Sequence, residues 1–472
     1  MRLSSRGFRS LLSRLLVVPA VVGLVLASVL VGYAGDEIWG HHSLERARMA
    51  RRVLTAWLAP QEGDEKGSDY TGQNSDPLED YKTALNLLKK DYYGPPVDAK
   101  KTRQLTYEAI QGMLDTLKDQ FTSFLNPDDW SQMQATTRGD FEGIGALLQQ
   151  EPPNNGAIKV VRPIETGPAE KAGLKADDVI VRVNGKPILG KDLNEVVNLI
   201  KGKSGTYVRL GVMRGKTPLD FTIRRALVEP PVVKYWMEDK ENKIGHIVLT
   251  DFNEKSIEQM ERAFASLESQ GMRALVFDLR YNPGGLLTVA IDVASLFIPP
   301  DQNKDLDNAV VYIKEGTGKE QAMRLKEAQF THRQVPMVVL TNGMSASASE
   351  IVAGAIKDYG VGTLMGERTF GKGLVQSLFQ LGDHSALRLT TAKYYTPKHT
   401  DINRKRDEDG DPIPGSGGIV PDIEVKQSKN WKEEDFKDKT NDVQLQKALQ
   451  FLRARLNGKT IAQAAQEVTQ TP

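Results

Sequence analysis

Between Pro230 and Val425 the chain alternates short, almost wholly apolar runs with amphipathic ones, and few architectures accept that order. The apolar runs are Lys243–Thr250, Ala274–Asp278, Val310–Ile313 and Met337–Thr341. They lack the in-out alternation of a half-exposed strand, so each must be covered on both faces. Helical periodicity at Ser256–Ser269, Leu287–Leu296 and Ser349–Lys357 separates them. This predicts an α/β core with right-handed crossovers.

At 472 residues the chain is too long for that core alone, and about two to four units are expected. The boundaries read as a membrane segment at 1–36, a linker at 37–77, a helical module at 78–140, a β-rich unit at 141–228, the α/β core at 229–430 and a helical tail at 431–472. In the module Tyr81, Leu85, Leu88 and Tyr92 recur at helical spacing. The β-rich unit carries runs at Ile158–Val161, Val179–Val183, Tyr207–Val212 and Leu219–Ile223, with the hairpin signal Asn184-Gly185. The tail reads as helical, charged and without site character. At the other end, Arg2, Arg6, Arg9 and Arg14 precede an uncharged apolar run from Leu15 to Ala34, followed by Asp36 and Glu37. About 20 helical residues at about 1.5 Å each span a hydrocarbon core of about 30 Å. The arginines place the N-terminus inside and the bulk outside. An uncleaved single-pass anchor in the cytoplasmic (inner) membrane is therefore expected, with the rest of the chain periplasmic or extracytoplasmic.

Composition excludes some chemistry. With 62 Lys+Arg against 61 Asp+Glu, no global field favours nucleic acid. The absence of cysteine removes thiolate nucleophiles and Cys-bound metals, and the six histidines form no His-Glu-x-x-His pair. No metal or cofactor is expected.

Three segments of the core carry chemistry. Asp278-Leu279-Arg280-Tyr281-Asn282-Pro283-Gly284-Gly285 leaves a strand through adjacent glycines, whose N–H groups can approach a ligand closely. Thr341-Asn342-Gly343-Met344-Ser345-Ala346-Ser347-Ala348-Ser349-Glu350 runs from a buried strand through small residues into a helix start. A serine there would feel the positive end of the helix dipole, though any of the three serines can serve as a cap. The stretch narrowly misses Gly-x-Ser-x-Gly, because Ser347 holds the last glycine position. Finally, Lys372 lies between Gly371 and Gly373. Turned inward, its amine would lose solvation and its pKa would fall towards the range of a general base. Gln376, four residues on, would share its face and hold the amine.

These segments, with Leu389-Thr390-Thr391-Ala392-Lys393-Tyr394-Tyr395-Thr396-Pro397 and Gly418-Ile419-Val420-Pro421-Asp422, resemble the carboxy-terminal processing (tail-specific) peptidases over roughly residues 78 to 450. The resemblance implies a core similar to the Clp-protease/crotonase superfamily and a Ser–Lys dyad aided by glutamine. The family's serine-to-lysine spacing selects Ser347 as nucleophile, Lys372 as base and Gln376 as orienting residue. Its oxyanion donors fall on the N–H of Ala348 and of one glycine of the Gly284-Gly285 pair.

The β-rich unit resembles a PDZ domain, with Gly143-Ile144-Gly145-Ala146 as its carboxylate-binding loop and the helix bearing Leu193, Val196, Val197 and Ile200 beside the groove. That resemblance implies an edge strand from Ala146 to Gln149 that accepts a peptide. Protein or peptide substrates with free C-termini are the expected partners. The loop Asp401 to Gly417, with Arg404-Lys405-Arg406-Asp407-Glu408-Asp409, is more charged than the family's usual turn and reads as solvated surface, with a lid or a contact for an adaptor or activator as the alternative. A homo-oligomer is left open. Two other readings stand beside the peptidase: a catalytically silent PDZ scaffold at the membrane, and a crotonase-like acyl-CoA enzyme, which an external location disfavours.

Overall fold

The computed structural model describes residues 76–151, 157–327, 334–405, 407, 413–428, 431 and 441–470. The expected anchor and nearly all of the linker lie outside these residues. Among the described residues, no helix is long and apolar enough to cross a membrane. They fall into two units, divided between Val97 and Asp98.

The first unit holds helix α1 (Pro77–Asp91), started by Asp76, whose carboxylate accepts the Leu78 N–H at 2.9 Å. Proline at its first position needs no N–H partner.

The second unit opens with α2 (Ala99–Asp115), strand β1 (Ser123–Leu125) and α3 (Pro127–Arg138). Asn126 caps α3 through the N–H groups of Asp128 and Asp129, and Gly139 ends it at φ 75°. The β-rich region follows: β2 (Phe141–Gly143), β3 (Ala146–Gln150), β4 (Ile158–Pro163), α4 (Pro168–Lys171), β5 (Val179–Val183), β6 (Lys186–Pro187), α5 (Leu193–Ile200), β7 (Tyr207–Arg214), β8 (Thr217–Arg224) and β9 (Ala226–Val228). Its antiparallel sheet has the order β3-β4-β5-β7-β8, with β6 on β5, while β2 pairs with β9. A separate core of Ile158, Val160, Val196, Val208 and Leu210, each without exposure, sits under α5. Strand β3 is the sheet's edge.

The remaining elements are β10 (Val233–Asp239), β11 (Ile244–Leu249), α6 (Ser256–Ser269), β12 (Ala274–Asp278), α7 (Leu287–Phe297), β13 (Ala309–Glu315), β14 (Glu320–Arg324), β15 (Met337–Thr341), α8 (Ala348–Tyr359), β16 (Thr363–Gly366), β17 (Leu374–Gln380), β18 (Ala386–Tyr395), β19 (Ile423–Glu424), α9 (Val443–Leu456) and α10 (Ile461–Gln470). Strands β10-β11-β12-β15-β16-β19 form the central sheet, antiparallel only between β10 and β11. One face packs on α6, α7 and α8 through Leu275, Phe277, Val339 and Leu364. The other face, with Val276, Val338, Leu340 and Met365, is covered by Leu445, Phe451 and Leu452 of α9 and Ala464 and Val468 of α10. This double cover is why β12 and β15 are apolar at nearly every position.

One expectation is corrected. The run Val310–Ile313 does not join the central sheet; as part of β13 it belongs to an antiparallel sheet of order β1-β18-β13-β14, with β17 on β18. Its last four residues, Tyr312 to Glu315, emerge from the core, which a doubly covered strand does not permit. The tail is helical, as its sequence reads, and its α9 and α10 close one face of the core.

Candidate active site

The three segments singled out in the sequence leave the carboxyl ends of β12, β15 and β16, which are adjacent and parallel. Loops at such strand ends converge in the crevice where open α/β sheets bind ligands. Here the convergence is held by hydrogen bonds. Ser345, without exposure, donates its hydroxyl to the Leu279 carbonyl at 2.8 Å, and Ser349, equally buried, donates to the Asn282 carbonyl at 2.9 Å. The Ala346 N–H donates to the same Asn282 oxygen at 3.0 Å. Two of the three serines thus bind the β15 loop to the β12 loop.

Ser347 is different. It is partly exposed, caps the N-terminus of α8 and has φ 54° and ψ −114°, a conformation sparsely populated by non-glycine residues. Strain of this kind thrusts a side chain out of a strand-to-helix turn. Its hydroxyl lies against the Tyr394 phenol, whose oxygen also donates to the Lys372 carbonyl. Burial raises the Tyr394 pKa well above the ordinary value, the Glu350 carboxylate adds to this, and the Ser347 hydroxyl opposes it. Among the described residues, the Ala348 N–H donates to no protein group.

Gly284 closes on this turn. At φ 107° it leaves no room for a side chain, since a Cβ would stand 2.8 Å from the Ser347 Cβ and 2.9 Å from the Ala348 nitrogen. Its own N–H is taken by Asn282 Oδ1 at 2.9 Å. The N–H of Gly285 makes no such bond among the described residues. Of the glycine pair, Gly285 is therefore the one with a donor to spare.

Lys372 arrives from the third strand end. Its backbone N–H donates to Glu350 Oε2 at 2.8 Å, and the Ser347 N–H donates to the same oxygen at 2.9 Å. The other carboxylate oxygen accepts the Gly371 N–H at 2.7 Å and the Thr369 hydroxyl at 2.6 Å. Glu350 is fully buried, which raises its pKa, while the Thr369 hydroxyl and the three N–H donors pull the other way. Four converging donors satisfy the carboxylate. One buried side chain thereby fixes the serine turn to the lysine loop.

The Lys372 amine lies 4.8 Å from the centre of the Phe121 ring. Burial lowers its pKa and Arg388 reinforces the effect, while Glu350 and Asp119 oppose it. Among the described residues it makes no hydrogen bond to Ser347 or Gln376. Gln376 instead donates to the Thr390 hydroxyl at 3.4 Å, and a β-bulge between Val375 and Gln376 breaks the alternation that the four-residue spacing assumes. His246 is buried in the core between Glu238 at 3.3 Å and Asp278 at 3.4 Å, and His384 stands in the turn between β17 and β18.

Sequence reasoning missed Tyr394, Phe121 and the depth of Glu350's role. Glu350 alone left a signal, an acid three residues into a helix behind a run of small side chains. At the β-rich unit, the Gly143–Ala146 loop, Val197 and α3 line one cavity of about 540 Å³.

A strained serine at a helix N-terminus beside an unused backbone donor is the arrangement a serine hydrolase requires. Comparison with known proteins gives the family. Residues 243–425 match peptidase family S41 and residues 159–214 match the PDZ domain. The chain is 36% identical over 345 residues to the carboxyl-terminal-processing protease of Synechocystis sp., covering 72% of this chain and 75% of that one. It is 38% identical over 324 residues to the carboxy-terminal processing protease CtpA of Bacillus subtilis, covering 68% and 66%. The match to a probable CtpA-like serine protease of Staphylococcus epidermidis, 35% identical, covers 72% of this chain and 64% of that protein. The chain belongs to the carboxy-terminal processing peptidases of family S41.

Proposed function

We propose that the protein is a membrane-tethered serine endopeptidase that receives the C-terminal region of a polypeptide in its PDZ groove and cuts the chain at Ser347. In this reading the neutral Lys372 amine takes the proton from Ser347 Oγ as that oxygen attacks the scissile carbonyl carbon. The oxyanion forms against the N–H of Ala348 and of a glycine in the Gly284-Gly285 pair. The carbon–nitrogen bond then breaks, the lysine returns its proton to the leaving amine, and water hydrolyses the acyl-enzyme. A turn of the Lys372 side chain away from Phe121 brings its amine to Ser347, with Gln376 as its hydrogen-bonding partner there.

The observation that carries the proposal is the isolation of Ser347. Of three serines at the crossing of two strand-end loops, it alone is strained and partly exposed and does not tie the β15 loop to the β12 loop, and it stands beside an unused N–H and one carboxylate away from Lys372. Ser347→Ala and Lys372→Arg variants should each lose cleavage of an unfolded protein such as casein, because a guanidinium stays protonated throughout the working range. Wild-type turnover should rise with pH through a lysine pKa below 10.5, since burial favours the neutral amine. Casein cleavage by either variant would reject the dyad.

The apolar run Leu15 to Ala34 supports an uncleaved anchor that leaves the catalytic part outside the inner membrane. Mass spectrometry of the membrane-extracted protein should find residues upstream of Leu15, and a mature terminus near Asp36 would reject the anchor.

A further inference from the structure

The cavity beside β3 has a wall that a PDZ fold by itself does not supply. Its lining includes Asp128 and Gln132 of α3, which faces the Gly143–Ala146 loop and the end of α5. Lys201, the residue that terminates α5, reaches across this cavity and donates to Gln132 Oε1. Burial lowers the lysine's pKa, and the Asp128 carboxylate opposes that shift. The end of α5 is held in place: Arg225 Nε donates to the Ile200 carbonyl at 2.7 Å, and the Ser204 N–H donates to Glu142 Oε1 at 3.0 Å. Glu142 directly precedes Gly143, so the Lys201 segment is tied to the strand that begins the loop. The N–H groups of Ile144 and Gly145 donate to no protein group among the described residues.

We propose that Lys201, steadied by Gln132, is the charged receptor for the terminal carboxylate of a polypeptide lying along β3, and that Asp128 opposes a second negative charge there. This rests on the reading of the groove as a chain-end site. The arrangement fits one occupant, an extended chain with a free C-terminus and an apolar last residue. Its carboxylate would meet unused N–H groups and an ammonium, and its last side chain would meet Val197. The ammonium is held by a neutral amide oxygen at Gln132, so an incoming carboxylate displaces a weaker partner with a stronger one. Because α3 lies outside the β-rich unit, selection of the chain end depends on the helical module.

The test uses the full chain carrying Ser347→Ala, so that bound peptide is not cut. Fluorescence anisotropy measures the affinity of a labelled peptide with an apolar last residue, as free acid and as amide. The acid should bind about tenfold more tightly than the amide, the usual worth of a hydrogen bond to a charged group. Adding Lys201→Met should bring the acid down to the amide's affinity, and Lys201→Arg should restore most of the difference. Asp128→Asn should tighten the acid by about two- to threefold and leave the amide unchanged, and it serves if Lys201→Met fails to fold. A Lys201→Met protein that keeps the acid preference, or an Asp128→Asn protein that binds acid and amide as before, overturns the role of Lys201 while leaving the groove a chain-end site. Equal binding of acid and amide by the parent protein overturns the chain-end reading itself, and this inference with it.

Discussion

At the scale of single residues, the site is set by one strained serine and one glycine that nothing can replace. Gly284 holds φ 107° with its missing Cβ pointing at Ser347 and at the Ala348 nitrogen. Any side chain there must push the serine turn and the glycine loop apart, and displacements of about 1 Å in such sites cost about a hundredfold in rate. Gly284→Ala should therefore lower kcat by about that factor and reduce the thermal midpoint as well, because alanine is strained at this φ. Steady-state kinetics beside a thermal melt decide it, and an unchanged kcat would mean that the loop yields freely. The glycine pair was legible in the sequence as a place of close backbone approach. The commitment of one N–H of that pair to Asn282 was not, because a side chain two residues away can turn towards it or towards solvent with the same sequence.

At the scale of elements, periodicity located three of the six central strands and all three helices that flank the site. Its failures have a common cause. Strand β13 resembles a core strand over Val310–Ile313, yet it pairs with β14 and β18 in the second sheet. An apolar run reports burial and does not report which neighbour provides it. Strand β1 has only three residues, too few for any pattern, but through Ser123↔Arg388 it binds the segment between α2 and α3 to β18. That pairing is why Phe121 and Asp119 stand near Lys372. The bulge in β17 is likewise silent in sequence, and beside it Gln376 donates to the Thr390 hydroxyl. Glu350 is the opposite case: its place at the start of α8 was visible, while its link to the lysine loop required the neighbouring strand end.

At the scale of the whole molecule, the C-terminal helices are locked to the catalytic core by a buried charge network. Arg280, fully buried on the loop that leads to the glycine pair, binds Asp278 at 2.7 Å and Asp442 at 2.8 Å, and Asp442 also caps α9. The tail is thereby held to the loop that leads to the glycine pair. Neutralising Asp442 takes one of the two carboxylates from the buried Arg280, so Asp442→Asn should cost roughly 2 kcal/mol in urea denaturation. Wild-type stability from the variant would show that the network relaxes without it.

The same network sets the response to pH. Burial pushes the Asp278 carboxyl up, but Arg280 and His246 outweigh it and hold it at about 2. Its contribution is complete above the ordinary carboxylate value and is lost as pH falls through about 2. Burial works against a charged His246, yet Asp278 and Glu238 outweigh it and raise its pKa. That contribution is complete below about 6.5 and is lost as pH rises through the raised value. Stability should thus peak between about pH 4 and 6.5, and His246→Gln should flatten the alkaline side of the curve. Equal slopes for variant and wild type in urea titrations above pH 6.5 would refute the assignment.

What the sequence determined by itself was local: where strands are covered on both faces, where helices begin, and which short motifs place a serine, a lysine and adjacent glycines at strand ends. Those features depend on neighbours within a few residues, so the chain displays them directly. What only the tertiary structure decided was convergence. It made α9 and α10 part of the core, set Lys372 over Phe121, gave Glu350 four donors from two segments, and brought α3 to the groove beside Lys201. Each of these joins residues far apart in sequence, and the free energy that selects them comes from burial and hydrogen bonding in the assembled fold, which leaves no local pattern in the chain.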